Sequence, residues 1–166
     1  MTAAPDTEPT YTELAIEPTS IFATSFRIED AASGAELGIL KFDWLGEKAR
    51  YVTEEESLRL TRDAWWGAFR MDRGRRTIAR AVKPSAWFRR FEVRCGPDRY
   101  ELRARGLGRK FEIFRHGRRV GRVEPKSFFT RGAWLRAPGG LEQHRAVFLI
   151  WLTLILWKRE HASASS

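Results

Sequence analysis

Residues 146–157 read AVFLIWLTLILW, twelve positions in which Thr153 is the one polar interruption. His144 and Arg145 precede the run, and Lys158, Arg159 and Glu160 follow it. Whatever the chain folds into must surround this segment, with lipid or with its own residues. A helix over 141–160 spans about 30 Å, but its apolar part spans only about 18 Å, against about 30 Å of bilayer hydrocarbon. Apolar runs of this length mark buried core helices more often than membrane spans. Phe148, Leu152 and Ile155 form one stripe, Val147, Trp151 and Leu154 a second, and Ile150 and Trp157 fill the space between, so no face is left for water. Thr153 is compatible with such burial because its hydroxyl can bond the carbonyl of Leu149 one turn back. Pro138-Gly139-Gly140 reads as the break before the helix, with Glu142 in the first turn and Lys158 and Arg159 in the last, a charge order that complements the helix dipole. A protein shell is expected; the alternative is a tail anchor with the C-terminal helix in lipid.

The rest of the chain can supply that shell. Turn signals recur at Asp72-Arg73-Gly74, Gly96-Pro97-Asp98, Gly106-Leu107-Gly108 and His116-Gly117, and the segments between them alternate. Phe91, Val93 and Cys95 face one way with Glu92 and Arg94 opposite; Tyr100, Leu102 and Ala104 alternate with arginines and a glutamate. Such short alternating strands indicate an antiparallel meander, sandwich or barrel. A shift of 42 residues superposes Phe69 on Phe111, Met71 on Ile113 and residues 78–81 on 120–123, with an upstream echo in Phe26, Ile28 and Leu37-Gly38-Ile39-Leu40. Each copy reads as strand, glycine turn, strand, with a small residue (Gly38, Ala79, Gly121) inside the second strand. Residues 20–136 have room for roughly eleven or twelve strands, and a barrel of that size can hold a helix where an eight-strand barrel cannot. The expected fold is mainly β, a closed antiparallel barrel of about twelve strands around the buried C-terminal helix. Residues 1–19 and 161–166 are expected to be flexible tails flanking one domain over 20–160.

Charge is unevenly spread. The net charge of +9 resolves into −7 over residues 1–69, +15 over 70–136 and +1 over the last thirty. A basic middle attracts anions, whether lipid headgroups, nucleic acid or acidic protein; a solvated arginine-rich strand face is the alternative. Cys95 is the single cysteine, which excludes an internal disulfide and fits a reducing compartment. The first twenty residues show no basic-plus-apolar signal pattern, so a cytoplasmic monomer, peripheral to a membrane where it binds one, is expected.

The repeated Leu37-Gly38-Ile39-Leu40 and Val120-Gly121-Arg122-Val123 strands resemble the tubby C-terminal-like group. So do the aromatic-rich stretches after Ser85 and Ser127 and the apolar helix ending in Trp157-Lys158-Arg159. That group includes tubby proteins, LURP-one-related proteins and phospholipid scramblases. The resemblance spans about residues 20–160. It implies a twelve-stranded barrel with a buried C-terminal helix, and functions that range from phosphoinositide binding to lipid scrambling. The chain lacks a cysteine-rich palmitoylation segment and a proline-rich arm of the scramblase kind, and it shows no tubby phosphoinositide motif. No site residue is therefore carried over.

Catalytic chemistry has little to stand on. His116, His144 and His161 are scattered and one cysteine cannot complete a zinc set, so neither a metal nor a cofactor is expected. Gly106-Leu107-Gly108-Arg109-Lys110 looks like part of a phosphate loop but has no crossover helix after it and reads as a hairpin turn. The triple carboxylate Glu54-Glu55-Glu56 reads as a solvated loop. No nucleophile-elbow, zinc-protease or Walker pattern occurs, and an enzyme is not expected. Two stretches at equivalent places in the repeat, 83–90 and 125–131, mix basic and aromatic residues. Lys83, Arg89, Arg90, Lys126 and Arg131 are candidates for attracting an anionic lipid surface, and Trp87, Phe88, Phe128 and Phe129 for settling at its interface. The same residues could stack on single-stranded bases, or the aromatics could face the barrel interior and the arginines water. An anionic phospholipid surface is the partner expected first, nucleic acid second.

Overall fold

A computed structural model describes residues 8–21, 24–43, 45, 47–64, 67–84, 89–127 and 131–166. The strands are β1 (Thr10–Pro18), β2 (Ser25–Asp30), β3 (Glu36–Asp43), β4 (Lys48–Val52), β5 (Ser57–Arg62), β6 (Phe69–Arg73), β7 (Arg76–Val82), β8 (Arg90–Cys95), β9 (Asp98–Ala104), β10 (Phe111–Arg115), β11 (Arg118–Pro125) and β12 (Ala133–Glu142); the helix α1 is Gln143–Ala164. Every strand is antiparallel to its neighbours in sequence, and β1 pairs with β12 to close the ring. Alternation builds the wall. In β8, Phe91, Val93 and Cys95 point inward while Glu92 and Arg94 point out, and β4 and β5 follow the same period of two.

The helix threads this barrel. At its start Gln143 Nε2 donates to Tyr51 Oη (2.6 Å), and at its other end Trp157 Nε1 donates to the Arg109 carbonyl (2.9 Å), so its two ends reach opposite rims. All twelve residues from Ala146 to Trp157 are buried. Strands of five to ten residues, tilted as a barrel requires, make a wall about 13–25 Å tall, and twelve helical residues rise about 18 Å. The apolar run thus falls within the height of the wall that encloses it. Thr153 Oγ1 donates to the Leu149 carbonyl (2.9 Å), the bond that lets a hydroxyl sit in this core. Trp151 lies edge-on to Phe69 (centroids 5.6 Å apart), which in turn stands edge-on to Phe91. Among the described residues no helix is long and apolar enough to cross a membrane.

The repeat is a feature of the wall. Ile28 pairs with Gly38, Met71 with Ala79 and Ile113 with Gly121, and each hairpin has a register shift immediately after the first member of that pair. The small residues face inward. A Cβ on Gly38 would stand 2.8 Å from the Tyr51 ring, and one on Gly121 2.7 Å from the Arg136 carbonyl. Glycine is needed there for close approach.

Three boundaries differ from the sequence expectation. Residues 10–18, expected in a flexible tail, form β1, the strand that completes the barrel. Its Leu14 and Ile16 are inward-facing and buried, while Thr10, Thr12, Glu13 and Glu17 give it a polar composition. Pro138-Gly139-Gly140 does not end the preceding element: β12 continues through it to Glu142, and the extra residues are absorbed by a shift opposite Tyr11 and Glu13, with Gly140 at φ 81°. The helix starts after Glu142 and runs to Ala164, so residues 161–164 are helical, and the last turn holds His161 rather than Lys158 and Arg159.

Candidate functional site

Because successive strands alternate in direction, successive connections alternate between two rims. The rim where the helix enters has connections of five, four, two, two and two residues: 31–35, 53–56, 74–75, 96–97 and 116–117. The rim where the helix leaves has six connections of four to seven residues: 19–24, 44–47, 63–68, 83–89, 105–110 and 126–132. Composition follows this division. The long-loop connections, with the helix end 158–166, carry nine Lys or Arg and three carboxylates; they also hold eight of the chain's Trp and Phe, where the short-loop connections hold none.

Each end of the helix is held by a carboxylate shared between two arginines. At the short-loop rim Asp98 receives Arg145 from the helix and Arg115 from β10. At the long-loop rim Glu47 receives Arg159 from the helix (2.6 Å) and Arg62 from β5 (3.1 Å). Burial opposes ionisation of both carboxyls, but the paired arginines outweigh it and hold both below the usual carboxylate range. The helix has no side-chain N-cap of its own. Glu8 supplies one from outside, accepting the His144 backbone N–H (3.2 Å) and lying against the imidazole. Glu8, Glu142 and His144 bring ligand-type atoms within 4.8 Å of one another, yet Glu8 is committed to His144 and Glu142 to Arg145 (3.1 Å). The cluster is the clamp on the helix N-terminus.

All five basic residues singled out in the sequence lie at the long-loop rim, but their states differ. Lys126 is paired with Glu17 and sits 3.9 Å from the centroid of the Trp134 ring. Arg89 pairs with Glu160 and donates to the carbonyls of Gly108 (3.0 Å) and Gly106 (3.3 Å). Arg90 lies between Glu92 and Glu101, both at 3.7 Å. Burial, then Arg159, Arg62 and Arg89 nearby, lower the pKa of Lys83. Arg131 is exposed. Trp87, Phe88, Phe128 and Phe129 lie outside the described residues.

Two features were not anticipated from sequence. The first is apolar: Ile21 is 88% exposed and Leu45 and Leu107 fully exposed, each on a different long loop, while half-exposed Val82 ends β7 at the same rim. These are the exposed large hydrophobics among the described residues, and none is at the short-loop rim. Leu107 lies inside the Gly106-Leu107-Gly108 turn, where only the glycines drew notice. The second is cationic and lies on the outer wall. Register sets Arg70 opposite Arg80, Arg80 opposite Arg94 and Arg94 opposite Arg99 across β6 to β9. Adjacent strands stand about 4.8 Å apart, so like charges are stacked side by side, an arrangement that is destabilising. Arg70 is relieved by Asp63 (2.7 Å). Arg80, Arg94 and Arg99 line a groove of about 630 Å³ together with Tyr100, Phe114 and His116. Only the pairing register brings these four arginines into a row.

No family model matches the chain, and no curated protein or solved structure matches it.

Proposed function

We propose that this barrel is a non-enzymatic binding module for anionic phospholipid surfaces, in keeping with the kinship to the tubby C-terminal-like group that its repeated strands suggest. The observation that carries this reading is the asymmetry of the two rims: the long-loop rim joins an excess of cationic side chains to exposed aliphatic ones. Cations near an anionic bilayer contribute on the order of 1 kcal/mol each, and apolar side chains at the headgroup layer add to them. Of the five basic candidates, Arg131 stands exposed to meet such a surface, whereas Lys126 and Arg89 are drawn into ion pairs within the rim.

The arginine row favours a second reading, an extended polyanion such as single-stranded nucleic acid along the wall, because Arg80, Arg94 and Arg99 present three cations at strand spacing beside the half-buried Phe114. Co-sedimentation with phosphatidylcholine vesicles, with and without phosphatidylserine, tests the first. Titration with an oligonucleotide at increasing salt tests the second. Binding to phosphatidylserine vesicles in preference to neutral ones supports the lipid reading. Oligonucleotide binding with a steep salt slope and indifference to vesicles replaces it with the second.

A further inference from the structure

Building on the anionic-lipid reading above, we propose that the barrel docks end-on, with the rim of long loops entering the headgroup layer of an anionic bilayer and Ile21, Leu45 and Leu107 acting as wedges.

Ile21, Leu45 and Leu107 stand almost wholly exposed at loop tips. Scattered singly over a surface they need no explanation, but here they converge on one end of the molecule. Their spacing selects the partner. The loop with Leu45 joins β3 to β4 and the loop with Leu107 joins β9 to β10, six strands apart in a ring of twelve. They stand on opposite sides of a barrel about 20–25 Å across. A protein partner recognises a contiguous buried cluster at the centre of its interface, and side chains this far apart make none. A flat, fluid layer meets all three at once. The cationic excess of the rim as a whole, carried by the connections 83–89, 105–110 and 126–132 and by the helix end, makes that layer an anionic one. The helix end that emerges through this rim carries no carboxylate side chain beyond Glu160, residues 161–166 being only His, Ala and Ser.

End-on insertion predicts a fixed orientation and a component of binding that salt does not remove. Charge attraction is screened within a Debye length, whereas apolar burial is not. The test uses the full chain with one environment-sensitive fluorophore on an introduced thiol, placed by Leu107→Cys at the long-loop rim or by Arg75→Cys at the opposite one. Native Cys95 is 1% exposed and does not compete for the label. With phosphatidylserine-containing vesicles, the label at position 107 should shift to the blue and become quenchable by brominated acyl chains, while the label at 75 stays at its aqueous wavelength. In parallel, the triple variant Ile21→Ser, Leu45→Ser, Leu107→Ser, checked for unchanged circular dichroism and melting, should bind at least about tenfold more weakly per residue replaced and lose the salt-resistant fraction. Vesicle binding with no response at 107, or with an equal response at 75, overturns end-on docking and leaves the lipid reading standing. Full binding by the serine variant has the same meaning. No binding to anionic vesicles by the unsubstituted protein overturns both.

Discussion

The two rims of the barrel solve the same structural problem with different surfaces. At each, a carboxylate shared by a helix arginine and a strand arginine fastens the helix to the wall: Asp98 with Arg145 and Arg115, Glu47 with Arg159 and Arg62. Beyond the clamps they part. The short-loop rim has two-residue turns with left-handed glycines, Gly74, Gly96 and Gly117, and the acidic connection 53–56. The long-loop rim has longer connections, three of them rich in basic residues, and the exposed Ile21, Leu45 and Leu107. The core, the clamps and the contacts of Arg109 with Trp157 and Arg89 with Glu160 hold the helix in the barrel, whereas the exposed tips Ile21, Leu45 and Leu107 are surplus to folding. That surplus is where function is sought.

The core is common to both rims, and breaking it should abolish the comparison. Leu152 is fully buried in the helix, and Leu152→Asp places a charge there with no partner. The expected outcome is loss of the cooperative melting transition and of near-ultraviolet dichroism. A variant that melts like the parent would mean that the helix is not what the barrel is built around.

The clamps come next in size. Asp98→Asn and Glu47→Gln should each lower stability by roughly 1–3 kcal/mol in urea titration, since each leaves two arginines without their shared carboxylate. Their pH dependence carries a sign. Both folded carboxyls titrate below the ordinary range, so each contributes stability that is present above the unfolded-state pKa and is lost as pH falls through the folded one. The parent should therefore weaken on acidification, and either single variant should show a shallower acid limb. If the two clamps are equivalent, the two limbs flatten alike; unequal flattening would identify the rim that opens first.

The helix and the repeated hairpins were legible in the sequence because each is written locally. Twelve apolar residues without a polar face, and a small residue eight to ten positions after its partner, need no knowledge of the rest of the chain. The first strand was not legible, because in TYTELAIEP the inward set reduces to Leu14 and Ile16 among acids and a proline. Its place is fixed by pairing with β12, more than a hundred residues away. The state of the candidate site was hidden for the same reason: Lys126 finds Glu17, and Arg159 finds Glu47, across separations of 109 and 112 residues. The composition of 83–90 and 125–131 singled out two connections of the long-loop rim, yet it could not separate a lysine held in an ion pair from an exposed arginine. The alternation of long and short connections was present in the sequence, but reading it required every strand to be counted.

That separation gives a smaller effect at the long-loop rim. Lys126→Gln removes a half-buried ion pair and a contact with Trp134, and should cost about 1 kcal/mol in thermal or urea melts. Arg131→Gln should leave the melt unchanged while weakening vesicle association. The reverse pattern would mean that Lys126 is the residue facing the membrane and that its pairing with Glu17 does not persist in solution.

The smallest effect belongs to the wall between the rims and has the opposite sign. Arg80, Arg94 and Arg99 stand directly opposite one another on adjacent strands, and Arg80→Gln with Arg94→Gln removes like-charge pairs without removing any buried contact, since both side chains face out. Stability should rise by a few tenths of a kcal/mol at low ionic strength, and the gain should vanish at high salt, where repulsion is already screened. Against vesicles the double variant should behave nearly as the parent does if the long-loop rim is the contact surface. A large loss of vesicle binding with the rim intact would move the binding surface from the end of the barrel to its side, and the difference between the two rims would then concern only how the helix is housed.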